Sequence, residues 1–159
     1  MPTDEELGFP APTNDERALL LGWLRFLRGA VLRDLDGLEN EQARWRPDAR
    51  LISLLGIVNH LTHVEWRWID GGFLGATVSR DETEFDPGPD LDVDTARRRY
   101  LERAAATEAA VLSLPLDTPH ADGSGRDLRW VLLHLINETA RHAGHADATR
   151  ELLDGTTGE

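Results

Sequence analysis

The stretch from residue 128 to residue 155 limits most strongly what this chain can fold into. It contains no proline, and it ends at a glycine, Gly155, as many helices do. At about 100° of rotation per helical residue, the polar side chains of this stretch fall within roughly 80° on one face. The pattern therefore predicts a long helix with one polar stripe. These side chains recur at steps of four, four and three: His134, Glu138, His142 and His145.

Apolar residues flank the polar stripe, among them Leu132 and Leu135, so we expect part of the stripe to face other helices. A buried imidazole or carboxylate is costly unless it has a partner. A divalent metal is one partner that could satisfy several of these groups at once.

Apolar residues at helical spacing also predict three helices upstream. Thr13 and Glu16 form a capping-box pattern before the first of them. Ser53 is a candidate cap for the second, and Asp94 or Thr95 for the third. No segment alternates between apolar and polar residues as a half-buried strand does. An all-α helix bundle follows, and such bundles build metal sites between facing helices. The four helices are predicted near residues 14–38, 52–70, 92–113 and 126–153.

The length of 159 residues suits a single domain, which we place at residues 13–155. Residues 1–12 contain three prolines and an acidic cluster, and we expect them to form an extended arm. Residues 156–159 form a short tail. The segment 73–90 is irregular and acidic, and it could form a lid or rim over a site or be disordered.

Composition excludes several classes of function. A formal net charge of −12 would repel nucleic acid and anionic lipid. No apolar run approaches the length of a membrane span, and no basic and apolar leader begins the chain, so we expect a cytoplasmic protein. The chain has no cysteine, and sulfur chemistry would therefore need a thiol supplied from outside.

The predicted second helix carries two further histidines and one unusual carboxylate. His60 lies near the edge of the apolar arc and can face the interior, whereas His63 points away from the arc and is expected at the surface. Glu65 falls within the apolar arc, where an unpaired carboxylate would be costly. Its partner could be a metal-bound imidazole that donates its second nitrogen to the carboxylate, or an arginine.

Glu138 and His142 lie four residues apart on one face, so both can reach a single ion. His60 from a facing helix would complete three protein ligands and leave positions open for water or substrate. The spacing also arises by chance, and Glu138 could instead pair with Arg141. We expect the five tryptophans to be packing residues: Trp23, Trp45, Trp66, Trp68 and Trp130.

Two motifs carry a resemblance to a known family. LLGIVNHLTHVEWRW, followed about seventy residues later by LRWVLLHLINETARHAGHADATRELLDG, resembles the DinB superfamily of DinB/YfiT-like metalloenzymes, in a branch found largely in actinobacteria. The resemblance implies an up-down-down-up four-helix bundle with one divalent metal held by His60, Glu138 and His142. Many members have histidine where this chain has Glu138, whereas the mycothiol-dependent maleylpyruvate isomerases resemble it in using glutamate. His145 falls where many members have glutamine.

The resemblance also implies a class of reaction. Characterised relatives use a low-molecular-weight thiol such as mycothiol or bacillithiol, and a zinc-type cation can deprotonate a thiol that coordinates it. Our leading hypothesis is a metal-dependent thiol S-transferase that joins a thiol to a small electrophile, with His145 or Glu65 assisting. Two histidines and a glutamate suit zinc, and they also accept nickel, iron or manganese. The alternatives are a hydrolase that uses metal-bound water and a non-catalytic binding bundle. We also expect the protein to form a homodimer.

Overall fold

The computed structural model describes residues 8–157. Within that range the chain is all-α, as the sequence predicts, and it contains no strand, only an isolated bridge between Pro119 and Asp127. The first seven residues of the predicted arm and the last two of the predicted tail lie outside the described residues. The α-helices are α1 Glu16–Arg33, α2 Asn40–Ala43, α3 Leu54–Glu65, α4 Val93–Ser113 and α5 Leu128–Asp154.

The capping box predicted for Thr13 and Glu16 is wrong. Asp15 is the residue that caps α1, because its side chain accepts a hydrogen bond from the backbone N–H of Ala18 at 3.1 Å. The Thr13 hydroxyl instead accepts from the backbone N–H of Asp15 at 3.1 Å. The helix therefore begins two residues later than a Thr13 cap would place it.

The C-terminal end of α1 also differs from the prediction. The helix ends at Arg33 rather than near residue 38, and Gly37 adopts a left-handed backbone with φ of 72°. Leu35 is fully buried although it lies beyond the helix. The apolar spacing continued past the helix because the turn folds back onto the same core.

The other helix ends follow the caps that the chain provides. Ser53 caps α3, as predicted, by accepting from a backbone N–H. Asp92, rather than Asp94 or Thr95, caps α4 by accepting a 2.7 Å hydrogen bond from the backbone N–H of Thr95. Gly155, with φ of 76°, ends α5 in the left-handed conformation expected of a helix C-terminus.

A π-helix, Trp66–Gly71, continues directly from α3. Its wider turn shifts the side chains that follow relative to a regular helix, and π-helical turns occur often at functional sites. Arg67 and Trp68, both in this turn, line the cavity described below. A 3₁₀ helix, Glu82–Glu84, interrupts the segment that we expected to be irregular.

The long helices bury their apolar faces against one another. α1 packs against α5 and α4, and α3 packs against α4 and α5. The contact between α3 and α5 places the polar residues of these two helices opposite one another inside the structure. None of the helices in residues 8–157 is long and apolar enough to cross a membrane. The fully buried core side chains include Leu24, Leu55, Ile57, Tyr100, Leu132 and Leu135.

Candidate metal centre

The donor atoms of three residues converge between α3 and α5. His60, Glu138 and His142 each offer a ligand atom, and these atoms lie within 4.8 Å of one another. Nε2 of His60 lies 3.2 Å from Oε1 of Glu138, and Nε2 of His142 lies 3.5 Å from the same oxygen. The structure thus brings together the three residues that the sequence had grouped as candidate ligands.

Local structure explains this convergence. Glu138 and His142 are four residues apart on α5, so they lie one above the other on one face. His60 comes from the facing side of α3 and is 3 % exposed. Its ring stacks on Phe85 with centroids 4.5 Å apart and meets the His142 ring edge-on at 4.7 Å.

A carboxylate that the sequence analysis did not identify contacts the His60 nitrogen that faces away from Glu138. Nδ1 of His60 lies 2.6 Å from Oε1 of Glu84, and Glu84 is 3 % exposed. Nη2 of Arg67 donates to Oε1 of Glu84 at 2.8 Å, and Nη1 of Arg67 donates to Oε2. The sequence offers only a weak signal for Glu84, which is that an aromatic residue, Phe85, follows it directly in an acidic segment.

Glu65 forms a buried ion pair with Arg28. Nε and Nη2 of Arg28 donate to its two oxygens, each at 2.7 Å, and the Thr107 hydroxyl donates at 2.7 Å. Glu65 is 2 % exposed and Arg28 is 4 % exposed. Of the two partners that the sequence allowed, the structure has the arginine, and the carboxylate beside His60 is Glu84.

The charges around the three donors favour the forms that bind a metal. Burial opposes ionisation of Glu138, but its contacts with His60 and His142 outweigh burial and hold the pKa of Glu138 below its ordinary value. Burial and the neighbouring His60 ring lower the pKa of His142, although Glu138 partly opposes this. A charged carboxylate beside a neutral imidazole at neutral pH is the protonation state that metal binding needs.

The remaining histidines of the predicted α5 stripe lie beside this group. The His145 ring stacks on the His142 ring at a centroid distance of 6.5 Å and an interplanar angle of 23°. Within residues 8–157, Nδ1 of His142 and Nε2 of His145 are buried and have no hydrogen-bond partner. His134 stacks on Trp130 at 5.5 Å and lies 4.6 Å from Trp68.

His63 points away from the group formed by His60, Glu138 and His142. It is half-buried, its Nδ1 lies 2.8 Å from the backbone oxygen of Asn59, and its ring lies edge-on to Trp66. It is outside the three-residue group, as its position on the helical wheel predicts.

A cavity of about 460 Å³ opens onto His60 and Glu138. Arg67, Trp68 and Arg80 form part of its wall. Trp68 therefore faces the cavity and is not solely the packing residue that we expected. The arrangement gives a potential ligand group at the wall of a cavity large enough for a small substrate.

Comparison with known protein families identifies the family of this chain. Residues 19–155 match the model of the family described as Mycothiol-S-transferase. A search of the curated proteins finds no significant match. The family match spans almost all of the chain, and it agrees with the resemblance to the mycothiol-related DinB superfamily. The chain therefore belongs to the mycothiol S-transferase family.

Proposed function

We propose that this protein is a metal-dependent mycothiol S-transferase, in which His60, Glu138 and His142 hold a divalent cation. The observation that carries the proposal is the convergence of the three ligand atoms within 4.8 Å across α3 and α5. The family match supports the thiol as co-substrate.

The contacts of His60 support the presence of a cation. With a proton on Nδ1 shared with Glu84, a neutral His60 presents a lone pair on Nε2. That lone pair faces a carboxylate oxygen of Glu138 at 3.2 Å. The His60 nitrogen and the Glu138 oxygen, both acceptors, require a cation or a proton between them at this distance. Two imidazoles with one carboxylate are a ligand set that suits zinc. Nickel, iron or manganese also fits such a set.

The proposed reaction assigns a role to the bound cation, to the residues around it and to the thiol. A divalent cation in this position would lower the pKa of a coordinating thiol and keep it as thiolate at neutral pH. Glu84, held by Arg67, fixes the orientation and the proton position of His60. The chain has no cysteine, so the nucleophilic sulfur belongs to the co-substrate. The sulfur forms a bond to the electrophilic carbon, and the leaving group departs with the electron pair.

We propose a supporting role for His145 and a structural role for Glu65. The His145 ring stacks on the His142 ring, and His145 is not among the residues that line the cavity within the described range. Glu65 has a bidentate arginine and a threonine hydroxyl as partners. Neither position favours direct contact with substrate.

Two expectations about architecture also belong to this proposal. The pairing of α1 with α5 and of α3 with α4 and α5 supports an up-down-down-up four-helix bundle. A homodimer remains a prediction, and several exposed leucines could take part in such an interface. These leucines are Leu101, Leu112, Leu133 and Leu152, which are 53 to 67 % exposed.

Consumption of an electrophile in the presence and absence of thiol tests the proposed function. The tag-free protein is loaded with zinc and incubated with monobromobimane, with or without mycothiol. We expect consumption above the uncatalysed rate only when thiol and metal are both present, and loss of this acceleration with a chelator. Metal-dependent consumption without thiol would indicate a hydrolase, and no acceleration under any condition would indicate a binding protein.

A further inference from the structure

Arg80 is an exposed residue at the wall of the cavity that is also lined by His60 and Glu138. Its guanidinium carbon lies 5.3 Å from the centre of the Phe85 ring. Phe85 in turn stacks on His60 at 4.5 Å. A guanidinium over an aromatic face keeps its charge and its hydrogen-bond donors while its orientation is restricted. The stack therefore holds a cationic group close to the candidate metal centre.

The charge of Arg80 is uncompensated, unlike the other charges of the cavity wall. Arg67 is paired with Glu84, and Asp122 lies 2.9 Å from Nδ1 of His120. In residues 8–157 no carboxylate lies within ion-pairing distance of Arg80. In a chain with a net charge of −12, an arginine that faces a cavity without an acidic partner favours an anionic ligand.

We propose that Arg80 binds a carboxylate of the electrophile, so that this site selects electrophiles with an anionic group near the reacting carbon. The place of this contact in a reaction rests on the proposed thiol transfer. During the transfer the sulfur–carbon bond forms and the bond to the leaving group breaks, while the carboxylate stays unchanged against the guanidinium. A planar guanidinium can donate two parallel hydrogen bonds to a carboxylate, which fixes the orientation of the reacting carbon.

Iodoacetate and iodoacetamide test this proposal, because they share the reacting carbon and differ in charge. In both reactions mycothiol sulfur forms a bond to carbon and iodide leaves. The chain has no cysteine, so a control without thiol measures only the alkylation of other side chains, and a control without protein gives the uncatalysed rate. We expect the acceleration over the uncatalysed rate to be roughly tenfold greater for iodoacetate than for iodoacetamide, as expected of a charge-assisted bidentate contact.

Three variants assign the preference to Arg80. Arg80→Gln should make the two accelerations equal by raising KM for iodoacetate with little change for iodoacetamide. Arg80→Lys should retain only part of the preference, since an ammonium group cannot form the bidentate contact. Arg99→Gln, which removes an exposed arginine of α4 outside this cavity, should leave the preference unchanged. Equal accelerations for the two electrophiles with the unaltered protein would overturn the proposal.

A second pair of reagents distinguishes the electrophile from the thiol as the source of the carboxylate. N-acetylcysteine and its neutral amide are compared with iodoacetamide as the common electrophile. We expect no Arg80-dependent difference between the two thiols. A preference that follows the charge of the thiol would overturn the assignment to the electrophile.

Binding measurements separate this proposal from the proposed function. The full-length protein is titrated by calorimetry with the S-carboxymethyl and S-carbamoylmethyl thioethers of mycothiol. We expect tighter binding of the carboxymethyl compound, and loss of that difference in Arg80→Gln, whether or not the protein accelerates any reaction. No acceleration with either electrophile would contradict thiol transfer, whereas equal binding of the two thioethers would contradict the role of Arg80.

Discussion

Nδ1 of His60 lies 2.6 Å from Oε1 of Glu84, although the two residues belong to different elements and are 24 positions apart in the chain. Glu84 is itself held by Arg67 from the π-helix that follows α3. The 3₁₀ helix Glu82–Glu84 thus fixes the ring that faces Glu138 and His142. Such a carboxylate sets which imidazole nitrogen keeps its proton and makes the other nitrogen a better ligand.

We expect Glu84→Gln to weaken zinc binding by roughly 10- to 100-fold, because the amide is a poorer acceptor for the His60 Nδ1 proton. Competition with a chromophoric chelator measures the affinity. Glu82→Gln is the matched control, since Glu82 lies in the same 3₁₀ helix and is exposed. Equal zinc affinity of the Glu84→Gln variant and the unaltered protein would exclude this supporting role.

The two histidines of α3 should differ in their effect on metal content. His60→Ala removes a buried donor of the three-residue group, and we expect the bound metal to be lost. His63→Ala removes a half-buried ring whose contacts are with Asn59 and Trp66, and metal content should stay nearly unchanged. Elemental analysis of both variants tests this, and equal losses would contradict the assignment.

Glu65→Gln should lower stability and leave metal binding intact. The change removes the buried carboxylate charge that pairs with Arg28 and leaves Arg28 only Glu108, 3.3 Å from its Nη1. Breaking a buried pair costs about 3 kcal/mol. Urea unfolding measures the loss. Glu102→Gln is the control, since Glu102 pairs with Arg98 at an exposed site and should change the free energy of unfolding by less than about 1 kcal/mol. Unchanged stability together with a loss of thiol transfer would instead indicate a catalytic Glu65.

Stability should depend on pH through a buried carboxyl group at the C-terminal end of α1. Burial and the neighbouring Asp147 raise the pKa of Asp34 to about 7, from an ordinary value of 3.8. Because the folded state binds this proton more tightly, the contribution to the free energy of unfolding is greatest below about pH 4 and is lost as the pH rises through about 7. Asp34 is 2 % exposed, and its Oδ2 has no hydrogen-bond partner among residues 8–157.

We therefore expect Asp34→Asn, which cannot ionise, to raise the melting temperature at pH 8 and to change it little at pH 4. Asp90→Asn, at an exposed aspartate, serves as the control and should have little effect at either pH. Destabilisation by Asp34→Asn at pH 8 would show that the charged form of Asp34 is favoured in the folded protein.

The sequence predicted the parts of the site that follow from helix geometry. Glu138 and His142 are four residues apart on one helix, so their spacing alone places them together. The direction of His60 relative to the apolar arc of α3 allowed it to face the interior and separated it from His63. The family resemblance then related His60 to the two residues of α5.

Glu84 could not be predicted in this way, because it comes from a segment whose path depends on tertiary contacts. Its Arg67 partner lies in a π-helix, and no regular periodicity anticipates that turn. Glu65 was correctly identified as a buried carboxylate that needs a partner, but its position on the wheel could not distinguish Arg28 from a ligand histidine. The observed ends of α1 differ from the predicted ones because of local structure. The start depends on the hydrogen bond that Asp15 accepts, and the end depends on the left-handed backbone at Gly37.

The most direct test of the metal centre is the elemental composition of the tag-free protein and its Glu138→Gln variant. Glutamine preserves the size of the side chain but removes the negative charge that offsets a divalent cation. The side-chain ion pairs of Glu138 within residues 8–157 are with His60 and His142, and none is with Arg141 or another arginine.

We predict about one equivalent of divalent metal per chain for the unaltered protein, as a group of three ligands implies. The Glu138→Gln variant should lose this metal while its circular dichroism spectrum stays helical. Full metal content in the variant, or no metal in the unaltered protein after reconstitution with zinc, would contradict the assignment of His60, Glu138 and His142 as ligands.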